Sequence, residues 1–235
     1  MVVAGIVAGG VGARMGNSTV PKQFLEIGGK PIIIHTIEKF LASLDIDGIV
    51  VGVHSDWQDY MENLIHKFIG VSEKIFIAEG GASRNETIAK IIQKAEDTWG
   101  ITEDTIIVTH DAVRPFVNLR IIRDNVEAAR KYGVCDTVIP ATDTIVQSDN
   151  QAYITEIPVR NEMYQGQTPQ SFKYGIFKEV YESMTCDELE IVTDACKMFY
   201  LKNHKVHLVK GDISNFKITY TFDWKMAQCM LGENI

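Results

Sequence analysis

No stretch of this 235-residue chain approaches the run of about 20 apolar residues that spans a bilayer. A membrane protein of helical type is therefore not expected. The first residues, Met1 to Ala8, are apolar but have no basic lead-in and run directly into glycines. They read as a buried strand, not a signal peptide. Cysteine is scarce and scattered: Cys135, Cys186, Cys196 and Cys229 form no Cys-x-x-Cys pair. A structural zinc site is not expected, and reduced thiols in a cytoplasmic protein are the simplest reading. Basic charge is also short, with 23 Lys and Arg against 31 Asp and Glu and a net charge of −8. General nucleic-acid binding is excluded, because phosphate backbones are gripped by excess positive charge. A local basic site for a small anion is still allowed. There is no internal repeat and no low-complexity linker. What remains is ordinary globular composition, 46% hydrophobic and 23% charged, in a length that suits one large domain.

Short apolar runs alternate with amphipathic stretches. Val2–Val7, Gly48–Val53, Lys74–Ala78, Thr105–Thr109 and Asp136–Ile139 are continuous in hydrophobicity, as strands covered on both faces must be. Pro31–Ser43, Asp56–Ile69, Arg84–Trp99 and Leu119–Tyr132 carry helical periodicity. The alternation predicts an α/β fold, a Rossmann-like, mostly parallel sheet with helices on both faces. After Pro140 the pattern changes. Two β-rich runs, Thr144–Val146 and Ala152–Ile157, flank a polar turn at Ser148–Gln151, which predicts a β-hairpin. A hairpin leaving an α/β body is an arm, and an arm of about residues 141–168 on a single domain of residues 1–235 predicts a homodimer. Helices near Lys173–Met184, Thr193–Lys202 and Thr221–Leu231 and a strand at Lys205–Val209 complete the chain.

The first strand ends in Ala8-Gly9-Gly10-Val11-Gly12-Ala13-Arg14-Met15-Gly16, followed by Pro21-Lys22-Gln23-Phe24. Glycines let backbone N–H groups approach phosphate oxygens, and the carboxyl edge of an α/β sheet is where ligands bind. The spacing fails two templates. Met15 stands at the third glycine of a dinucleotide fingerprint, and no Gly-Lys-Ser/Thr follows as a Walker loop requires. Arg14 and Lys22 instead place two cations just beyond the glycines.

This opening resembles the signature of sugar-phosphate and polyol-phosphate cytidylyltransferases. The resemblance extends through Gly80-Gly81-Ala82-Ser83-Arg84-Asn85-Glu86-Thr87, His110-Asp111-Ala112-Val113-Arg114-Pro115, Arg160 with Gln167-Thr168-Pro169-Gln170, Thr193-Asp194, and Asn215-Phe216-Lys217-Ile218-Thr219. Ordered motifs over nearly the whole chain are far more specific than any one glycine loop. The resemblance implies a nucleotidyltransferase fold and a phosphate monoester attacking the α-phosphorus of CTP. It implies Arg14, Lys22 and Lys217 as catalytic cations, and Ala8, Gly9, Gly10, Gly12, Gly81, Ala82, Arg84 and Thr87 at the nucleotide. It further implies Asp111 as ligand to Mg²⁺ and at the acceptor, with Arg114, Arg160, Thr168 and Thr193 also around the acceptor. Arg160 and Thr168 are implied to act across a dimer interface.

Each residue also has a plainer reading. Asp111 can simply pair with Arg114, Arg84–Thr87 can cap a helix, and Lys217 and Arg160 can be ordinary surface charges. His110 is read as structural, because the nucleophile is already anionic and needs no strong base.

Val113, Phe216 and Tyr220–Asp223 depart from the methylerythritol-phosphate pattern, while Val159–Asn161 and Tyr164–Gln167 resemble the ribitol-phosphate branch. Ribitol 5-phosphate is the expected acceptor, with teichoic-acid or capsular polymers the implied destination and methylerythritol 4-phosphate the alternative. A nicotinamide-dependent reductase would need a carboxylate closing the second strand. That strand ends Gly52-Val53-His54-Ser55. A non-catalytic nucleotide sensor would have little use for Lys22, Lys217 and Asp111 together.

Overall fold

The β-branched and apolar run at the N-terminus forms β1 (Val2–Ala8), buried along almost its whole length. In the computed structural model, which describes residues 1–10, 20–192 and 194–232, β1 is an interior strand of a seven-stranded sheet. A two-residue ladder, β2 (Glu26–Ile27) with β3 (Lys30–Pro31), lies outside that sheet. The remaining strands are β4 (Gly48–Val53), β5 (Ile75–Glu79), β6 (Ile106–Asp111), β7 (Val134–Pro140), β8 (Tyr164–Lys173) and β9 (His207–Lys210). Their order is β5-β4-β1-β6-β8-β7-β9. All neighbours run parallel except β8, which is antiparallel to both β6 and β7.

Helices cover both faces, as the continuous hydrophobicity of the strands requires. On one side α1 (Ile32–Leu41), α2 (Gln58–Phe68) and α4 (Leu119–Tyr132) pack Ile33, Ile37, Phe40, Met61 and Val126 against Ile6, Val51 and Val108. On the other, α3 (Arg84–Trp99), α5 (Tyr174–Glu182) and α7 (Ala195–Leu201) pack Ile88, Ile91, Phe177 and Phe199 against Val3, Val50, Ile107 and Phe172. A short α6 (Cys186–Ile191) and the C-terminal α8 (Thr221–Met230) complete the set. Local signals explain the boundaries. Ser83 caps α3, accepting from the Glu86 N–H, and Gly100 ends it at φ 60°, where a side chain would be strained. Asn118 caps α4 in the same way.

The expected strands and helices through residue 140 are present, with shifts of one or two residues at some ends. Besides the small β2–β3 ladder, two elements were not anticipated. β8 reads Tyr-Gln-Gly-Gln-Thr-Pro-Gln-Ser-Phe-Lys, a polar run with poor intrinsic strand propensity. It is held by its neighbours, and its buried Gln167, Gln170 and Ser171 all find hydrogen-bond partners. α6 starts with a capping box between Thr185 and Glu188, a Thr-x-x-Glu signature visible in the sequence. The expected hairpin is reduced. Its described residues form one antiparallel bridge, Gln147 to Glu156, in place of two strands. The arm has no third strand or helix to pack on, and an isolated two-stranded ribbon is marginal in water. Tyr153, Ile154, Ile157 and Val159 are exposed along it.

Gly48 marks how tightly α3 seats on the sheet. A Cβ there would lie 2.6 Å from the Trp99 ring. Gly48→Ala is expected to destabilise the protein by about 1–3 kcal/mol through overpacking. Thermal unfolding should show a Tm lower by several degrees, and an unchanged Tm would mean that the α3 contact yields freely.

Candidate active site

The carboxyl ends of β1 and β6, the start of α3 and two distant chain segments enclose a cavity of about 450 Å³. Ala8, Gly9 and Gly10 form one wall. Gln23 fixes that wall, donating from Nε2 to the carbonyls of Ala8 (2.9 Å) and Gly10 (3.0 Å). Gln23 sits in the turn Lys22–Phe24, whose Phe24 ring is buried against Trp57 and Tyr60. Lys22 is thereby held at the cavity rim. Gly9 is required by close approach, since a Cβ there would lie 2.9 Å from the Thr87 hydroxyl.

The opposite wall is the segment leading into α3. The Thr87 hydroxyl donates to the Ser83 carbonyl (2.9 Å) and accepts from the Gly81 N–H (3.0 Å). The Ala82 N–H donates to the Glu86 carboxylate at 2.8 Å. These donors are consumed in shaping the loop. The Ser83 and Gly80 carbonyls are engaged as well, by Thr87 and Lys90, which leaves the carbonyl oxygens of Gly81 and Ala82 as the groups suited to an amino group such as that of cytosine.

At the floor, Asp111 closes β6. Its carboxylate lies 3.3 Å from Arg84 Nε, 2.9 Å from Lys217 Nζ and 3.6 Å from Arg114 Nε. Burial alone would raise the Asp111 pKa, but Arg84, Lys217 and Arg114 outweigh it and hold the group well below the usual carboxylate range. Lys217 is carried on a firmly tied segment. Asn215 donates to the carbonyl of Thr168 (2.8 Å) and to Gln167 (3.2 Å), Arg114 donates to the Asn215 carbonyl (2.8 Å), and the Ile218 N–H donates to the Val113 carbonyl (2.9 Å).

Behind Asp111 lies His110, fully buried. Its Nε2 faces the Arg114 carbonyl at 3.1 Å, so that nitrogen carries the proton and Nδ1 accepts from the Thr168 hydroxyl at 2.9 Å. The same hydroxyl accepts from the Asp111 N–H at 3.1 Å. Burial pushes the His110 pKa down to about 4, so the ring is neutral near pH 7. Its place is structural.

The cavity therefore gathers Ala8, Gly9, Gly10, Lys22, Gly81, Ala82, Arg84, Thr87, Asp111 and Lys217 in its walls. Arg114 and Thr168 stand behind it, buried, with the Thr168 hydroxyl engaged internally. Arg160 is exposed at the base of the arm, outside the cavity. Gly12, Arg14 and Thr193 lie outside the described residues. Gln23 and Asn215 are the positioning residues that the sequence reading passed over. Their only signal is adjacency to Lys22 and Lys217. Among the described residues Asp111 is the single carboxylate in the cavity wall, and they hold no cluster of three metal-ligating side chains. That donor set fits Mg²⁺, which takes one or two protein carboxylates and completes its shell with phosphate oxygens and water.

Removing the central charge leaves three cations without their shared partner. Asp111→Asn is expected to cost on the order of 3 kcal/mol at pH 7, as for a broken buried pair. Because the folded-state pKa is depressed, this contribution is complete above the unfolded value of about 4 and shrinks as the pH falls towards the folded one. Denaturant titrations of both proteins at pH 7 and pH 3 test this. A gap that is no smaller at pH 3 would refute the ion-pair account.

Residues 2–233 match the family model described as 2-C-methyl-D-erythritol 4-phosphate cytidylyltransferase. The chain is 50% identical, over the full length of both proteins, to ribitol-5-phosphate cytidylyltransferases of Streptococcus pneumoniae strain ATCC 700669 / Spain 23F-1 and serotype 19F strain G54. It is similar to the solved 4-diphosphocytidyl-2C-methyl-D-erythritol synthase of Anaerococcus prevotii DSM 20548, with TM-score 0.81 and 26% identity over 99% of this chain and 96% of that one. The fold is also that of the Francisella tularensis 2-C-methyl-D-erythritol 4-phosphate cytidylyltransferase, at TM-score 0.80, 22% identity and coverage of 97% and 98%. With its glycine edge, its two lysines and a family match over almost every residue, the chain belongs to the 2-C-methyl-D-erythritol 4-phosphate cytidylyltransferase family of nucleotidyltransferases.

Proposed function

We propose that this enzyme transfers a cytidylyl group from CTP to D-ribitol 5-phosphate, giving CDP-ribitol and pyrophosphate. The observation that carries the chemistry is the convergence of Lys22 and Lys217, nearly two hundred residues apart, on the cavity bounded by Gly9, Gly10 and the start of α3. The acceptor is supported by the full-length relatives at 50% identity, whose printed name is ribitol-5-phosphate cytidylyltransferase. CDP-ribitol is a donor suited to building polyol-phosphate polymers such as teichoic acids.

The reaction is a displacement between anions. An oxygen of the acceptor phosphate forms a bond to the α-phosphorus of CTP. The bond from that phosphorus to the bridging oxygen breaks, and pyrophosphate leaves with the electron pair. The attacking oxygen is already ionised, so no general base is required, in keeping with a neutral, buried His110. The work is positioning and charge stabilisation. Lys22 and Lys217 stabilise the charge on the α-phosphate oxygens, and Arg14 joins them. Gly9, Gly10 and Gly12 let the backbone approach the triphosphate. Asp111 holds Lys217, Arg84 and Arg114 in register and, with triphosphate oxygens, would hold Mg²⁺. When bound, the ion supplies Lewis-acid neutralisation of the phosphate charge.

The proposal includes a homodimer built through the arm of residues 141–168. Its support is the exposed apolar row of Tyr153, Ile154, Ile157 and Val159, together with Arg160 at the arm's base. Arg160 of one protomer would meet the acceptor phosphate in the other; Thr168, buried with its hydroxyl engaged by His110 and the Asp111 N–H, orders the cavity floor from within instead of reaching across. No described helix is long and apolar enough to cross a membrane, and all four cysteines are free thiols. Both facts suit the cytoplasm.

A pyrophosphate-release assay with CTP and either ribitol 5-phosphate or methylerythritol 4-phosphate tests the reaction. Higher kcat/KM with ribitol 5-phosphate is expected, and the reverse order would overturn the acceptor. Lys22→Ala and Lys217→Ala should each lower kcat about 10²–10³-fold with the fold intact, as for a lost transition-state donor. Near-normal turnover in both would remove their roles. Arg160→Ala should raise the KM for the acceptor and leave that for CTP unchanged. Light scattering after size exclusion should give a dimer mass, and a monomer at micromolar concentration would eliminate the shared site.

A further inference from the structure

Beyond Asp111 a second polar row continues across the sheet. Thr109 on β6 pairs with Gln170 on β8, and Gln170 pairs with Asp136 on β7. Strand side chains alternate, so Asp111 shares the face of Thr109. All four therefore lie on the side covered by α3, α5 and α7. Gln170 is only 3% exposed. Its Nε2 donates to Asp136 Oδ1 at 3.1 Å and to Asp194 Oδ1 at 3.3 Å, so its amide sits between two carboxylates. Asp194 also accepts from the Lys197 N–H at the start of α7. Among the described residues no lysine, arginine or histidine forms an ion pair with either aspartate.

This is a costly arrangement for two half-buried carboxylates, since without a cationic partner they lose part of their hydration uncompensated. Burial first, and then the charge of Asp194, push the Asp136 pKa up to about 7, with the Gln170 hydrogen bond and Arg84 opposing. Two buried atoms at the cluster have no hydrogen-bond partner: Oε1 of Gln170 and Nη1 of Arg84. Arg84 also reaches Asp111 at 3.3 Å, which joins the row to the nucleotide cavity. Gly166, which pairs with Val138 just past a shift in the β7–β8 register, lies beside Asp136, and a Cβ there would be in van der Waals contact with Oδ2 at 3.7 Å. Carboxylate and amide acceptors beside a free guanidinium N–H, with a glycine and not a side chain alongside, match a chain of hydroxyl groups. Each hydroxyl donates one bond and accepts others.

We propose that Asp136, held by Gln170 beside Asp194, binds the hydroxyl chain of the acceptor and selects an unbranched polyol phosphate over a methyl-branched one. The proposal rests on the acceptor reading given above and adds the residue that enforces it. Hydroxyls of a linear polyol replace the water lost by the carboxylate. A branching methyl in the same place strips that water and returns nothing, and sites built to bond hydroxyl groups discriminate strongly on this basis.

The test compares kcat/KM for ribitol 5-phosphate and methylerythritol 4-phosphate in the wild-type enzyme, Asp136→Ala and Asp136→Asn, at saturating CTP. Asp136→Ala should raise the KM for ribitol 5-phosphate about tenfold or more, keep the KM for CTP within about twofold, and shrink the preference for the linear acceptor about tenfold. Asp136→Asn keeps the shape and an oxygen for Gln170, and should shift the preference in the same direction by less. It serves as the reading if the alanine variant melts without cooperativity. Equal losses on both acceptors, or an unchanged preference in the asparagine variant, would overturn the role of Asp136. A wild-type enzyme that turns over neither polyol phosphate would strike the acceptor assignment itself, and this proposal with it.

Discussion

Asp111 is one carboxylate with three cationic neighbours drawn from three parts of the chain: Arg84 at the start of α3, Arg114 in the turn after β6, and Lys217 in the segment before α8. A buried charge is tolerable only when it is compensated, and here the compensation also determines where the cations stand. The lysine that faces the cavity stays there because the aspartate does. The aspartate in turn is fixed by a backbone bond to Thr168, whose hydroxyl is oriented by a neutral histidine. The polar core behind the cavity thus converts sheet geometry into charge geometry.

That core depends on β8. A strand rich in glutamine, threonine and proline is a weak former of sheet on its own. Placed antiparallel between β6 and β7, it supplies the groups that tie the last part of the chain to the first: Gln167 and the Thr168 carbonyl to Asn215, and Gln170 to Asp136 and Asp194. Its side chains serve the site more than the hydrophobic core. Both ends of the arm meet at this strand and its neighbour, where Pro140 pairs with Tyr164.

Much of the scaffold was legible in the sequence because burial on both faces leaves an unmistakable run of apolar residues, as in Val2–Ala8 and Gly48–Val53. Helices α3 and α4 were legible to the residue because serine, asparagine and glycine mark their ends. β8 was not, since tertiary pairing overrides local preference there. The arm's two apolar runs suggested strands, but a strand needs partners, and those residues have only one bridge. The cavity lining was readable through motif residues that touch it directly. Gln23 and Asn215 were not, because a residue that acts by holding another announces itself only in three dimensions.

The bond between Asp111 and Lys217 joins positions 106 apart in sequence. During synthesis every strand of the sheet is completed by Lys210, before this lysine has been added. A nascent chain halted there would carry the glycine edge and the α3 wall, yet its aspartate would face two arginines and lack the third cation. Removal of the segment from Lys217 onward would therefore leave every strand of the sheet in place and the buried Asp111 carboxylate one cation short.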